Sequence, residues 1–180
     1  SPEGNRDAVG EHALGMLLSL LHQLREADQS IRRGEWDREG HRGVELAART
    51  VGIVGYGHMG SAFAEKLTGM GCRILAVDPY RMDHDGALQG CVEAVDLITL
   101  QREADVVSLH CNLTPETRGM VNAHWLSSFS KPIVLLNTAR GPILDTAALL
   151  DALDDGRVIS AGLDVFDRET SSFETVGGRD

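Results

Sequence analysis

Cysteine is scarce in this 180-residue chain, and so are basic side chains and long apolar runs. Cys72, Cys91 and Cys111 stand too far apart in sequence for a metal knuckle or a C-x-x-C redox pair, so no metal site is expected. Their odd number, with no signal peptide at the start, fits a reduced compartment, and the expected location is the cytoplasm. Lysine and arginine total 17 against 27 aspartates and glutamates, a formal net charge of −10. That balance disfavours nucleic acid and anionic membrane as partners. No apolar stretch approaches the roughly 20 residues that a bilayer span requires. What remains is a hydrophobic content of 42%, enough for one compact domain with a real core and marginal for two.

The chain is organised around the stretch from Thr50 to Asp78. Val51-Gly52-Ile53-Val54 is an apolar run of the kind a buried parallel strand needs. Gly55, Gly57 and Gly60 follow in the order G-x-G-x-x-G. A helical pattern comes next, with Ala62, Phe63, Leu67 and Met70 on one side and Glu65 and Lys66 available to water. A second apolar strand, Ile74 to Val77, ends in Asp78. Gly55 permits the tight turn, Gly57 lets backbone approach a pyrophosphate, and Gly60 lets the helix pack closely on the strand. The helix N-terminus then presents free N–H groups to the phosphates. Asp78 lies 78 − 60 = 18 residues beyond the last glycine, placed to accept hydrogen bonds from both ribose hydroxyls of an adenosine half. Its charge repels a 2′-phosphate, so NAD is expected over NADP, with Arg81 nearby weakening that preference.

Around this centre the pattern alternates. A long amphipathic helix is expected over Asp7–Glu26, its Leu-rich patch either core or subunit contact. A polar helix over Ala27–Arg33 leads to Trp36, expected as a packing anchor, and residues 37–49 form a connector. A short strand near Cys91–Ala94 precedes a helix over Leu97–Glu103 capped by Asp96. Strands follow at 105–110, 132–137 and 158–165, with helices over Ala123–Phe129, capped by Asn122, and Thr146–Asp154, capped by Asp145. Such alternation predicts an α/β fold: a Rossmann-type doubly wound parallel sheet with helices on both faces, preceded by a long helix. The expected divisions are crossover helices and connector packed on the nucleotide domain over 1–49, the Rossmann domain over 50–166, and a polar tail over 167–180.

Three loops converge at the carboxyl edge of such a sheet: His110–Thr117, Asn137–Gly141 and Asp164–Glu169. Arg140 follows directly on a buried strand. A guanidinium there can grip a carboxylate by two parallel hydrogen bonds and polarise an adjacent carbonyl. Asp164 can bond a nicotinamide carboxamide, and Glu169 can orient a histidine and stabilise its charged form.

The segments EHALGMLLSL, TVGIVGYGHMG, DVVSLHCNLTPETRGMVN, LLNTARGPILD and GLDVFDRE together resemble the D-isomer-specific 2-hydroxyacid dehydrogenase family, and most of all its phosphoglycerate dehydrogenase branch in serine biosynthesis. The resemblance implies a homodimer acting with NAD on a small 2-hydroxy or 2-oxo acid. It implies Arg140 as the catalytic, substrate-binding arginine and Glu169 as partner of the catalytic histidine. It implies pyrophosphate contacts at His58 and Met59, Asp78 on the ribose, and Leu113, Thr114, Thr138, Ala139 and Asp164 along the adenosine and nicotinamide sites. The family's Pro-His-x-Gly motif is not among these residues, and none of the seven histidines sits in that context. Its N-terminal substrate-binding segment is likewise expected to be absent. The chain thus reads as a nucleotide-binding domain that is inactive alone. Alternatives are a glyoxylate or hydroxypyruvate reductase, or an NAD-sensing scaffold similar to the C-terminal-binding co-repressors.

Overall fold

A computed structural model of the chain describes residues 2–80 and 91–166. Arg81, the rest of the turn-rich stretch to Gly90, and the polar tail with Glu169 lie outside the described residues.

Six strands form one parallel sheet: β1 (Thr50–Val54), β2 (Arg73–Val77), β3 (Val92–Ala94), β4 (Val106–Leu109), β5 (Ile133–Asn137) and β6 (Val158–Leu163). Their order is β3-β2-β1-β4-β5-β6. The chain runs outward from β1 to β3, then crosses back to β4 and runs the other way. The switch point lies between β1 and β4, where a doubly wound sheet opens a crevice at its carboxyl edge.

The helices are α1 (Arg6–Leu21), α2 (Leu24–Arg32), α3 (His58–Leu67), α4 (Leu97–Glu103), α5 (Ala123–Ser127) and α6 (Thr146–Asp154). Successive strand residues go to opposite faces. Val51, Ile53, Ile74, Val106 and Val134 pack against Ala13 and Leu17 of α1 and Phe63 and Leu67 of α3. Val54, Val107, Leu109 and Leu135 pack against Leu100 of α4, Trp125 of α5 and Leu149 of α6. Both faces are therefore covered, which explains why the strands read as continuous apolar runs.

Caps set the helix starts. Asp96 accepts from the Thr99 N–H at 2.7 Å, Asn122 from Trp125 at 3.0 Å, and Asp145 from Ala147 and Ala148. At the amino edge, Asp105 Oδ2 accepts from the Thr50 N–H at 2.8 Å while its Oδ1 lies 2.7 Å from Lys131 Nζ. Burial pushes the Asp105 carboxyl up, but Lys131 and the Thr50 N–H outweigh it and hold the group below its ordinary range. One side chain thus ties together the starts of β1, β4 and β5.

Three expectations are corrected. The helix expected over Asp7–Glu26 is two helices, broken at His22 and Gln23, with Gln23 at φ 49°. The connector causes the break: it passes the end of α1, the Val44 N–H donates to the Leu21 carbonyl at 2.8 Å, and Gly43 is pressed against the His22 ring. The helix from Ala123 ends at Ser127 rather than Phe129, because the Ser127 and Ser128 hydroxyls both donate to the His124 carbonyl. Trp36 is not an anchor; it is 81% exposed, carried outward by the left-handed turn at Gly34. The Leu-rich patch is mostly core. Leu17 and Leu21 are buried, and Leu14, Met16 and Leu20 pack on the same cluster.

Two glycines of α1 test its packing. A Cβ on Gly10 would lie 3.0 Å from the Ala62 backbone of α3, whereas one on Gly15 meets nothing within 4 Å. Gly10→Leu is expected to destabilise by about 1–3 kcal/mol through overpacking. Gly15→Ala is expected to stabilise by about 0.5–1 kcal/mol through helix propensity. Urea unfolding of the two variants checks both signs, and a neutral Gly10→Leu would contradict the close helix crossing.

Candidate active site

The glycine loop leaves β1 at Gly55, where φ is 92° and a Cβ would lie 2.6 Å from the Cys111 backbone. A Cβ on Gly60 would lie only 2.1 Å from the Gly55 carbonyl oxygen. No side chain fits at either position, so α3 starts hard against the loop. Its first turn leaves the N–H groups of His58, Met59 and Gly60 without helical partners, at the positive end of the helix dipole.

The opposite wall comes from the strand ends. Asp78 Oδ2 accepts from the Tyr56 N–H at 2.8 Å, and Oδ1 from the Tyr80 N–H at 2.9 Å. Each carboxylate oxygen keeps a further lone pair for a ligand. After β4, Thr117 Oγ1 donates to the Asn112 carbonyl at 2.6 Å and accepts from the Thr114 N–H at 2.8 Å, which folds the Leu113–Thr117 loop into a fixed turn. After β5, the fully buried Asn137 accepts from the Ala139 N–H at 3.0 Å and donates to the Arg140 carbonyl at 3.2 Å. That side chain shapes the turn which carries Arg140 to the rim. The guanidinium donates to the Ala139 carbonyl at 2.6 Å, and no carboxylate pairs with it among the described residues.

These walls enclose a cleft of about 720 Å³ at the sheet's switch point. It is lined by Gly55, Gly57, His58, Met59, Asp78, Leu113, Thr114, Thr138, Ala139 and Arg140, all predicted from sequence. Gly60 sits beneath, as the packing contact of α3. Asp164 is not on the cleft wall: its N–H donates to the Asn137 carbonyl at 3.0 Å, and its carboxylate meets His12 Nε2 at 3.2 Å.

His110, at the end of β4, also lines the cleft, and it was not among the predicted site residues. It is buried, with Ser108 Oγ 2.8 Å from Nε2 and Thr138 Oγ1 3.3 Å from Nδ1, and its ring lies 5.3 Å from that of Phe63. Burial lowers its pKa from 6.5 to about 4. A polar residue closing an apolar strand run was the available signal. Among the described residues, no group of three or more His, Cys, Asp or Glu side chains could hold a metal ion, and no helix is long and apolar enough to cross a membrane.

A parallel sheet with a glycine turn, a free helix N-terminus and an acid at the tip of β2 defines a dinucleotide-binding Rossmann domain. The chain belongs to the D-isomer specific 2-hydroxyacid dehydrogenase family, whose NAD binding domain matches residues 14–175. A D-lactate dehydrogenase of Escherichia coli is 38% identical over 172 residues, 96% of this chain and 52% of its own length. A D-3-phosphoglycerate dehydrogenase of Mycobacterium bovis is also 38% identical, over 94% of this chain and 32% of its own length. The crystal structure of a D-lactate dehydrogenase from Aquifex aeolicus complexed with NAD and lactic acid superposes with a TM-score of 0.83 at 32% identity, covering 93% of this chain and 49% of that one. The chain spans from 32% to 52% of the length of these relatives. Its cofactor is NAD, and the residues present fit it: the loop has no room for side chains where the pyrophosphate approaches, and Asp78 stands at the ribose end.

His110 gives the domain an acid-sensitive stability. Its folded pKa lies below the unfolded value, so between pH 6.5 and about 4 the unfolded chain takes up a proton that the folded chain refuses. Stability is then insensitive to this group above pH 6.5, and it falls as pH drops through that window, by at most about 1.4 kcal/mol per pH unit. Urea midpoints at pH 7.5 and pH 5 are expected to fall more for the wild-type chain than for His110→Asn, which cannot titrate. Equal falls would contradict a buried neutral imidazole.

Proposed function

We propose that this chain is the nucleotide-binding part of an enzyme that transfers a hydride between NAD and a D-2-hydroxy acid, with 3-phosphoglycerate as the substrate and glyoxylate or hydroxypyruvate as the alternative. The observation that carries the reading is the position of Arg140. It stands on the rim of the same cleft that ends at Asp78, on a turn fixed by Asn137, with no carboxylate partner among the described residues. NAD supplies the hydride acceptor when bound. The α3 N-terminus holds the pyrophosphate, Asp78 the adenosine ribose, and Arg140 grips the substrate carboxylate and polarises the C2 oxygen. Glu169 is proposed to tune a histidine outside these 180 residues. His110 does not replace that histidine, because both its nitrogens are engaged and its pKa of about 4 makes it a poor acid–base near neutrality. Asp164 is proposed to reach the nicotinamide carboxamide once freed from His12. The protein is proposed to work in the cytoplasm, in keeping with its three free cysteines, and as a homodimer.

Calorimetric titration is expected to show NADH binding. Removing a hydrogen bond to a charged group costs roughly 1.5–3 kcal/mol, so Asp78→Ala should weaken NADH about ten- to a hundredfold and NADPH less. Asp78→Asn keeps an acceptor for the Tyr56 N–H and isolates the charge. Equal losses for both nucleotides in Asp78→Asn would remove the ribose role.

No turnover is expected from the chain alone with phosphohydroxypyruvate, hydroxypyruvate or glyoxylate. A missing general acid–base costs about 10²–10⁴ in rate, and lost substrate positioning as much as roughly 7–11 kcal/mol. NADH oxidation that disappears in Arg140→Ala would refute this. Sedimentation should give a dimer, and a monomer at high micromolar concentration would count against the subunit contact.

A further inference from the structure

Ser108, His110 and Thr138 form a short polar chain from the centre of the sheet to the cleft. Ser108 is fully buried in β4, and His110 is the sole hydrogen-bond partner of its hydroxyl among the described residues. A buried hydroxyl proton left without an acceptor costs free energy, so the Ser108 O–H donates to His110 Nε2. A neutral imidazole carries one N–H. With Nε2 accepting, the proton sits on Nδ1, and Nδ1–H donates to Thr138 Oγ1, 3.3 Å away. The Thr138 hydroxyl proton then cannot point back at the ring. Thr138 lines the cleft, so its O–H is left free to donate to a ligand there.

We infer that Ser108 and His110 are positioning residues that fix Thr138 as a hydrogen-bond donor toward the dinucleotide. This rests on the NAD reading of the cleft. The site therefore offers a donor to an acceptor oxygen of the cofactor, a carbonyl, hydroxyl or phosphate oxygen, opposite Thr138. The opposite tautomer would draw the Thr138 proton toward Nδ1 and remove that donor, and it would leave the Ser108 proton without an acceptor.

Two measurements test the chain of donors. Long-range ¹H–¹⁵N correlation spectra of the histidine-labelled protein at pH 7.5 report the tautomer of each ring, with His110 assigned by the loss of its signals in His110→Asn. The expected result is the Nδ1–H form without any ligand. An Nε2–H form, or a charged ring, overturns the inference whatever the fate of the cofactor reading.

NADH titration of five chains then tests the coupling: wild type, Thr138→Val, Thr138→Ser, Ser108→Ala and the double variant of Ser108→Ala with Thr138→Val. Thr138→Val should weaken NADH about tenfold, the worth of one ordinary hydrogen bond. Thr138→Ser should retain wild-type affinity. Ser108→Ala should weaken NADH several-fold when Thr138 is present and add nothing to Thr138→Val. Independent, multiplicative losses would overturn the relay, because Ser108 would then act by packing alone. A wild-type chain that binds no NADH would overturn the cofactor reading and the ligand-facing half of this inference together.

Discussion

The Gly55 carbonyl oxygen leaves no room for a side chain on Gly60, and the rest of the structure depends on that contact. Backbone meets backbone there: the exit of β1, the first turn of α3 and the exit of β4 converge with nothing between them. The approach places the N-terminus of α3 at the switch point of the sheet. It also fixes where the body of α3 lies, and α1 in turn presses Gly10 onto the Ala62 backbone. Cleft and core are thus set by one steric condition. Its origin is conformational as well, since Gly55 sits at a positive φ that other residues reach only with strain.

The two edges of the sheet use charge differently. At the amino edge, charges satisfy one another. Asp105 binds Lys131 across strands, and Arg73 binds Glu93 and Glu103. At the carboxyl edge, polar side chains hold backbone instead. Asp78 secures the glycine loop through the Tyr56 N–H, and Asn137 secures the turn before Arg140. Asp78 spends only part of its hydrogen-bonding capacity on the protein, and it lines the cleft. A preorganised site of this kind loses less ordering entropy when a ligand arrives.

Much of this was legible in the sequence because its causes are local. A strand buried on both faces must be apolar throughout, so β1, β4 and β5 announced themselves. Asp96, Asn122 and Asp145 marked helix starts by side-chain chemistry alone. The glycine spacing and the acid at the tip of β2 carried the cofactor. Where the cause was distant, the reading failed. Nothing near Gln23 reveals that residues 43–44 will cross the end of α1 and break the helix. Trp36 looked like core because tryptophan usually is, and the turn that turns it outward depends on one glycine. His110 was adjacent to every motif yet unreadable as a wired group, since its partner Thr138 lies just past the end of another strand, 28 positions away. Asp164 sits at the expected strand end, but its pairing with His12 joins the two ends of the described chain.

The place of α1 has a consequence for how the protein is made. Its apolar face belongs to the core, where Leu17 packs with Phe63, and Met16 and Leu20 lie over Gly162 of the last strand. A ribosome delivers this helix well before β6, which covers it. While some 140 further residues are translated, Met16 and Leu20 await a strand that does not yet exist, and early shelter for the helix comes from β1 and α3. Long-range closure of this kind slows folding and prolongs the exposure of apolar surface. The helix that reads as a prelude to the domain is the segment whose burial signals that the sheet is complete.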